Sequence, residues 1–551
     1  VQKYIYLSLL IFFSFTGASG QTISSLVRYT IKPIPAGDRT NLEILVRYRA
    51  DSSDFGKILL PTDRFGTPDI HRFVTSFEGE GGTVVKAGKK DLERLVKPAN
   101  DGTATIRYVL SYDNESLKNY PYSPNTGPDY FHVAGCQWLL HIGDDKTKHK
   151  FSVEIVGAPK AWKLYSSISP KAADFGTTAS YEDLSSTGIG GGAKSHSFLI
   201  KQRPVSVFVH GKFDIPDKEI AKAAERIVRS QREWFKDHTQ SFFTIVIAPR
   251  GGVVAGYAPD NAFFCFTRTD VNREELNLLL AHELFHAWLP NKISIQQDKK
   301  YSDIRYEWFY EGFTDYFARK ILLEAKLITP ERYIELLNKD IQNIADNPHR
   351  AETYDEFMLA AKEGRFDGVY KKLSYHRGAL IALNWDMRMR RGGKVDLSDF
   401  IRTLYFLLQD SGGKITEEAF FDFSRSSGVD AQADLERYTM RGEPIGILPD
   451  APVKGFQPAE VEYPLFDAGF SLEESRKTKK ISGVVENGAA YRAGLRDGME
   501  FVSAANANRF SNSWRADQPS VVVARTGQDE RRFEFFPRDS SIKLRLFSRA
   551  K

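Results

Sequence analysis

Ala281–Pro290 reads AHELFHAWLP, with two histidines one helical turn apart and a glutamate beside the first. The stretch closes a longer run, DVNREELNLLLAHELFHAWLP. In that run Asp270 or Asn272 can cap a helix start, and Glu274 and Glu275 suit the positive end of its dipole. Pro290 marks the end. His282 and His286 therefore project from one face of one helix. Two neutral imidazoles at that spacing can hold a single zinc ion, and Glu283 beside them can act as base towards its water.

A catalytic zinc wants a third protein ligand and one open position. The next helical stretch, DIRYEWFYEGFTDYFARK, supplies carboxylates at Glu307, Glu311 and Asp315, one turn apart. Glu311, 25 residues after His286, is the expected ligand, with Glu307 as its rival. Asp315 is the expected partner for the second N–H of a liganding histidine. The aromatic side chains around these acids predict a largely buried helix, where an unpaired carboxylate is costly. A third stretch, KKLSYHRGALIALNWDMRMR, is expected to open a helix at Tyr375. Gly378 and Ala379 permit close packing there. A phenol near the metal can donate a hydrogen bond to an oxyanion, which makes Tyr375 a catalytic candidate.

HELFHAW, WFYEGFTDYF and YHRGAL together resemble the thermolysin-like zinc peptidases whose third ligand is glutamate, and are most similar to the glycyl aminopeptidase family. The resemblance implies His282, His286 and Glu311 as ligands of one zinc, Glu283 as general base and Tyr375 as oxyanion donor. Trp288, two residues after the second histidine, also matches. It further implies a multidomain α+β architecture: a β-rich N-terminal domain, a mainly helical thermolysin-like catalytic domain and a PDZ-like C-terminal domain. A preference for glycine or alanine, and a peptide or protein substrate, come with the family.

One segment departs from the pattern. Related aminopeptidases carry a Gly-x-Glu segment on an edge strand, whose acid binds the substrate's free amine. Here Gly256-Tyr257-Ala258 stands in that position, and Asp260 is the nearest carboxylate. The four residues are the expected substrate strand, able to pair with an extended peptide through its backbone. The missing acid leaves two alternatives to an aminopeptidase. One is a zinc endopeptidase that ignores the free amine. The other is a PDZ-type peptide-binding scaffold with a vestigial metal site.

The rest of the chain sets the frame. At 551 residues it is too long for one core. A net charge of +5 from 76 basic and 71 acidic residues argues against nucleic acid as a main partner. VQKYIYLSLLIFFSFTGASGQT reads as a secretory signal over residues 1–20, cleaved near Gly20/Gln21, which predicts a periplasmic or secreted protein with no later membrane span. Residues 21–215 are expected to be β-rich, 216–455 catalytic and 456–551 PDZ-like. SSTGIGGGAKSH reads as a flexible hairpin tip. Cys136 and Cys265 sit in apolar strand-like sequence and are expected to be buried thiols. In the last module, DAGFSLEE is the expected carboxylate loop, with the N–H groups of Ala468, Gly469 and Phe470 facing a peptide C-terminus.

Overall fold

A computed structural model of the chain describes residues 26–50, 52–62, 65–251, 255–297, 303–364, 368–393, 395–509, 515, 517–538 and 540–550. The expected signal segment lies outside them. They group into two compact units, one ending at Asn291 and joined by 324–327, the other made of 292–323 and 328 onwards. The architecture is mixed α+β, β-rich at the N-terminus and helical in the middle.

The first unit begins with the hairpin Val27–Ala36 and Arg39–Arg49 in a six-stranded sheet. Burial along Arg39–Arg49 alternates, so Leu42, Ile44, Val46 and Tyr48 face a core that also holds Tyr29, Ile106, Tyr108 and Trp138. That period of two is what a half-buried strand requires.

The glycine-rich stretch corrects one expectation. Gly188–Gly192 is not a hairpin tip but a buried strand, paired with Tyr130–Ala134 on one side and Lys163–Ser166 on the other. The absence of side chains is the reason. A Cβ at Gly190 would lie 2.2 Å from the Tyr165 hydroxyl, and one at Gly188 would lie 2.5 Å from the Phe264 ring. Glycine is the residue that lets large rings close over a strand.

The next sheet has five strands, ordered Ser195–Ile200, Arg203–Val209, Phe243–Pro249, Ala262–Thr267, Ala255–Tyr257. Its first two strands come from the stretch assigned above to the N-terminal domain, yet they hydrogen-bond within the following sheet. Strand propensity is local, whereas sheet membership is decided by partners far along the chain. The central strands are parallel and almost wholly buried, hence the unbroken apolar run FTIVIAP. The helix Asp217–Phe235 follows, and Arg273–Phe285 carries the first histidine.

The second unit is helical over Phe313–Glu324, Pro330–Asp346, Tyr354–Lys362, Gly368–Gly392 and Leu397–Leu407. Tyr375 does not open its helix. It lies on the third turn of Gly368–Gly392, because VYKKLS upstream already has good helix formers. Beyond 455 come the antiparallel pair Phe456–Pro464 and Ser541–Arg549, and a three-stranded sheet around Phe470, Ile481, Leu495 and Val522. Cys136 and Cys265 are both buried. Among the described residues no helix is long and apolar enough to cross a membrane.

Candidate metal centre

Asn272 starts the first histidine's helix: its side chain accepts from the Glu275 N–H, and Glu275 returns the bond to the Asn272 N–H. Such a reciprocal cap satisfies two of the four orphan donors of a helix start. The helix ends at Phe285, so His286 is its C-terminal cap rather than an interior residue. The two imidazoles stand 4.9 Å apart at 90°. His286 Nδ1 lies 2.8 Å from the Leu289 carbonyl. A carbonyl can only accept, so Nδ1 carries the proton and Nε2 keeps its lone pair for a metal. Trp288, 2% exposed, donates its indole N–H to Asp237 at 2.8 Å and stacks on Phe235. These contacts fix the chain as it leaves the helix.

Glu283 is half-buried and lies against the edge strand Ala255–Tyr257. A Cβ at Gly256 would fall 2.6 Å from its Oε2 and 2.8 Å from its Cδ. Cys265, paired with Gly256, faces the same side. Burial first, and then the Glu283 carboxylate, push its thiol well above the ordinary range, so Cys265 stays protonated.

Glu311 sits in a widened π turn, Trp308–Gly312, which runs straight into Phe313–Glu324. Single π turns of this kind recur at functional sites. Helix Gly368–Gly392 crosses it glycine on glycine. A Cβ at Gly312 would meet the Gly378 Cα at 2.3 Å, and a Cβ at Gly378 would strike the Trp308 carbonyl at 1.8 Å. This approach sets the helix that carries Tyr375, 8% exposed, against the turn that bears Glu311. Lys372 Nζ lies 4.1 Å from the centre of the Tyr375 ring.

Asp315 pairs with Arg319 at 3.3 Å. Arg319 also binds Asp340, whose other oxygen accepts from His376 Nδ1 at 2.9 Å. Asn343 faces His376 Nε2 at 3.2 Å. One buried carboxylate thus ties the helix of Asp315 to the helix of Tyr375. The reading of the sequence missed Asp340, Arg319 and His376. Their separations of 21 and 36 residues leave no local pattern to find.

His282, His286 and Glu311 each offer one ligand atom, and the three atoms lie within 4.8 Å of one another. This is the one such group among the described residues. Two imidazole nitrogens and one carboxylate oxygen are the donor set of a catalytic zinc, and the tautomer of His286 suits it.

Of the expected substrate strand, Gly256 abuts Glu283, while Tyr257 turns to the opposite face and meets His132 Nε2 through its hydroxyl at 3.2 Å. The Ala258 carbonyl accepts from Asn291 at 2.7 Å, and Asp260 is exposed. In the C-terminal module Gly469 has a φ of +67° and its N–H donates to the Asp467 carboxylate at 2.7 Å, while Phe470 is part of the module's core. Ala468 packs against that core, half-buried.

Residues 275–367, which span both histidines and Glu311, match the family described as M61 glycyl aminopeptidase. The protein is a peptidase, of the class whose motif pairs HExxH with a later glutamate. Over that stretch the resemblance to the glycyl aminopeptidases read from the sequence is supported. Among solved structures the chain is similar to an aminopeptidase N family protein from Idiomarina loihiensis. That likeness has 16% identity and a TM-score of 0.69, and covers 95% of this chain and 98% of that one. It is a likeness of fold. An M1 zinc metallopeptidase from Deinococcus radiodurans is more remote, with 14% identity, a TM-score of 0.43, and cover of 79% and 97%. No curated protein matches the chain significantly.

Proposed function

We propose that the protein is an exported, zinc-dependent aminopeptidase-like enzyme with one zinc per chain, acting on peptides or proteins with a small N-terminal residue, Gly or Ala. The observation that carries the reading is the convergence of the His282, His286 and Glu311 ligand atoms. Export rests on the apolar N-terminal run, and the Gly/Ala preference on family resemblance. When bound, zinc supplies a Lewis acid that makes hydroxide available near neutral pH. Glu283 takes the proton from the attacking water and delivers it to the leaving amine. Tyr375 donates a hydrogen bond from its phenol to the developing oxyanion. Asp315 orients a liganding imidazole. The edge strand holds the substrate backbone, with Gly256, Tyr257, Ala258 and Asp260 along it.

Ala258 favours a second reading, an endopeptidase with the same chemistry, because no acid stands where the amine would bind. Free and N-acetylated peptides separate the two: an aminopeptidase cleaves only the free form. Activity lost with chelator and restored by zinc supports both, and activity indifferent to chelator overturns both. Glu283→Gln is expected to keep its zinc and lose turnover. Loss of the metal from that variant would sink the division of roles.

For the C-terminal module we propose a PDZ-like fold that binds peptide C-termini. The Asp467 carboxylate on the Gly469 N–H occupies the donor such a ligand needs, so binding requires it to swing out. Titration with free and amidated C-terminal peptides tests this, and equal affinity for both removes the carboxylate loop.

A further inference from the structure

The edge strand has two faces, and the proposed chemistry uses one of them. Gly256 and its partner Cys265 face Glu283. Tyr257 and its partner Phe264 face the other way, with ring centres 4.9 Å apart. Two residues distant in sequence join them on that face. Phe65 lies 5.0 Å from Tyr257, and Tyr122 lies 5.5 Å from Phe65 and 6.1 Å from Tyr257. All three rings are half-buried, so each keeps some surface open.

This wall is held by a buried polar chain. Tyr257 OH meets His132 Nε2 at 3.2 Å, His132 Nδ1 meets Tyr165 OH at 3.0 Å, and Tyr165 OH meets His210 Nε2 at 3.0 Å. His132 and His210 are each 1% exposed. A chain of hydroxyls and neutral imidazoles satisfies every link with one proton per bond. It pins the Tyr257 phenol inward, so the ring cannot swing across the strand edge.

We propose that Phe65, Tyr122 and Tyr257 form a substrate subsite that takes a large apolar or aromatic side chain. This rests on the peptidase reading above. A peptide added to the open edge of Ala255–Tyr257 alternates its side chains between the two faces. The residue opposite Gly256 faces Glu283, the side on which the proposed chemistry takes place. Its neighbour, opposite Tyr257, lays its side chain on the aromatic wall, because directly opposed residues share a face. For an aminopeptidase acting on a small N-terminal residue, that neighbour is the second residue of the substrate.

The test measures kcat/KM of the full-length zinc enzyme on two peptide series, Xaa-Ala-Ala-Ala and Ala-Xaa-Ala-Ala, with Xaa as Ala, Leu or Phe. The expected result is a preference for Phe and Leu over Ala at the second position. Phe65→Ala and Tyr122→Ala should each lower that preference ratio about tenfold or more, within the range an apolar pocket delivers. Phe406→Ala, on an exposed helix face outside this unit, serves as the control and should leave the ratio alone. Should Phe65→Ala fail to fold, Phe65→Leu keeps the bulk and should lower the Phe-over-Leu ratio instead. A preference at the first position only, or a ratio unchanged in folded variants, overturns the subsite while leaving the peptidase intact. No cleavage in either series by the zinc-loaded wild type overturns the peptidase reading, and the subsite with it.

Discussion

Adding one methyl group to Gly256 should disable the enzyme without unfolding it. An ideal Cβ at that position lies 2.6 Å from Glu283 Oε2, 2.8 Å from Cδ and 2.9 Å from Cγ. Ordinary contact begins near 3.4 Å, so the carboxylate must retreat by at least about 0.8 Å. Gly256 is not among the residues of positive φ, so alanine brings no backbone strain of its own. The obstructing atoms are the far end of a flexible side chain, so the fold can yield cheaply. Glu283, however, has to stay within hydrogen-bond reach of the proton it moves. A misplacement of about 1 Å costs on the order of 10²-fold in rate, equivalent to about 2.7 kcal/mol. The assay is kcat/KM on a free tetrapeptide, read beside zinc content by elemental analysis and Tm by thermal melting. The expected outcome is kcat down about 100-fold, zinc at one per chain and Tm within about 2 °C. A Gly256→Ala variant with wild-type kcat would refute the reasoning, since Glu283 would then not be acting from the face of that strand. Loss of zinc would refute it differently, by showing that the methyl group disturbs the ligands rather than the base.

Tyr375→Phe should lower kcat about 10²–10³-fold with little change in KM, as removal of one oxyanion donor does; a selective rise in KM would make Tyr375 a binding residue. Asp340→Asn removes the negative charge and one of the two acceptor oxygens that Arg319 and His376 share, on a residue that is 1% exposed. Breaking a buried pair this way should cost about 3–5 kcal/mol in urea unfolding, and a loss under about 1 kcal/mol would deny it a structural role. Burial first, then Arg250, depress His132 to about 3. Its folded value thus lies below its unfolded one of about 6.5, so the unfolded chain binds the extra proton, and stability present above pH 6.5 is lost as pH falls towards 3. Between pH 6.5 and 5 the unfolding free energy should fall more steeply in the wild type than in His132→Gln, by up to about 1.4 kcal/mol per pH unit; parallel curves would mean that His132 titrates normally.

What could be read in the sequence was what a single helix or its successor carries. Asn272 with Glu275 announces a helix start within four residues. His282 and His286 share a face by helical geometry alone. Glu311 was legible because a catalytic zinc needs a third ligand and the next aromatic-rich helix offers acids at one-turn spacing. Even the close crossing at Gly378 was visible, though its partner Gly312 was not. The failures have one physical source. Gly188–Gly192 reads as a loop by composition, since glycine is equally at home in a flexible tip and in a strand under close cover. The rings that decide between them, Tyr165 and Phe264, lie in other strands. Arg203–Val209 falls in the stretch expected to be β-rich, but its sheet is the following one, because its partner Phe243–Pro249 comes after a helix. Gly256 is the sharpest instance. In sequence it stands two places before a missing acid, and that absence draws the eye to Ala258. In space its want of a side chain is what lets Glu283 lie against the strand. A glycine beside a catalytic motif is therefore better read as a demand for close approach, and the question to ask of it is which functional side chain a methyl group would strike.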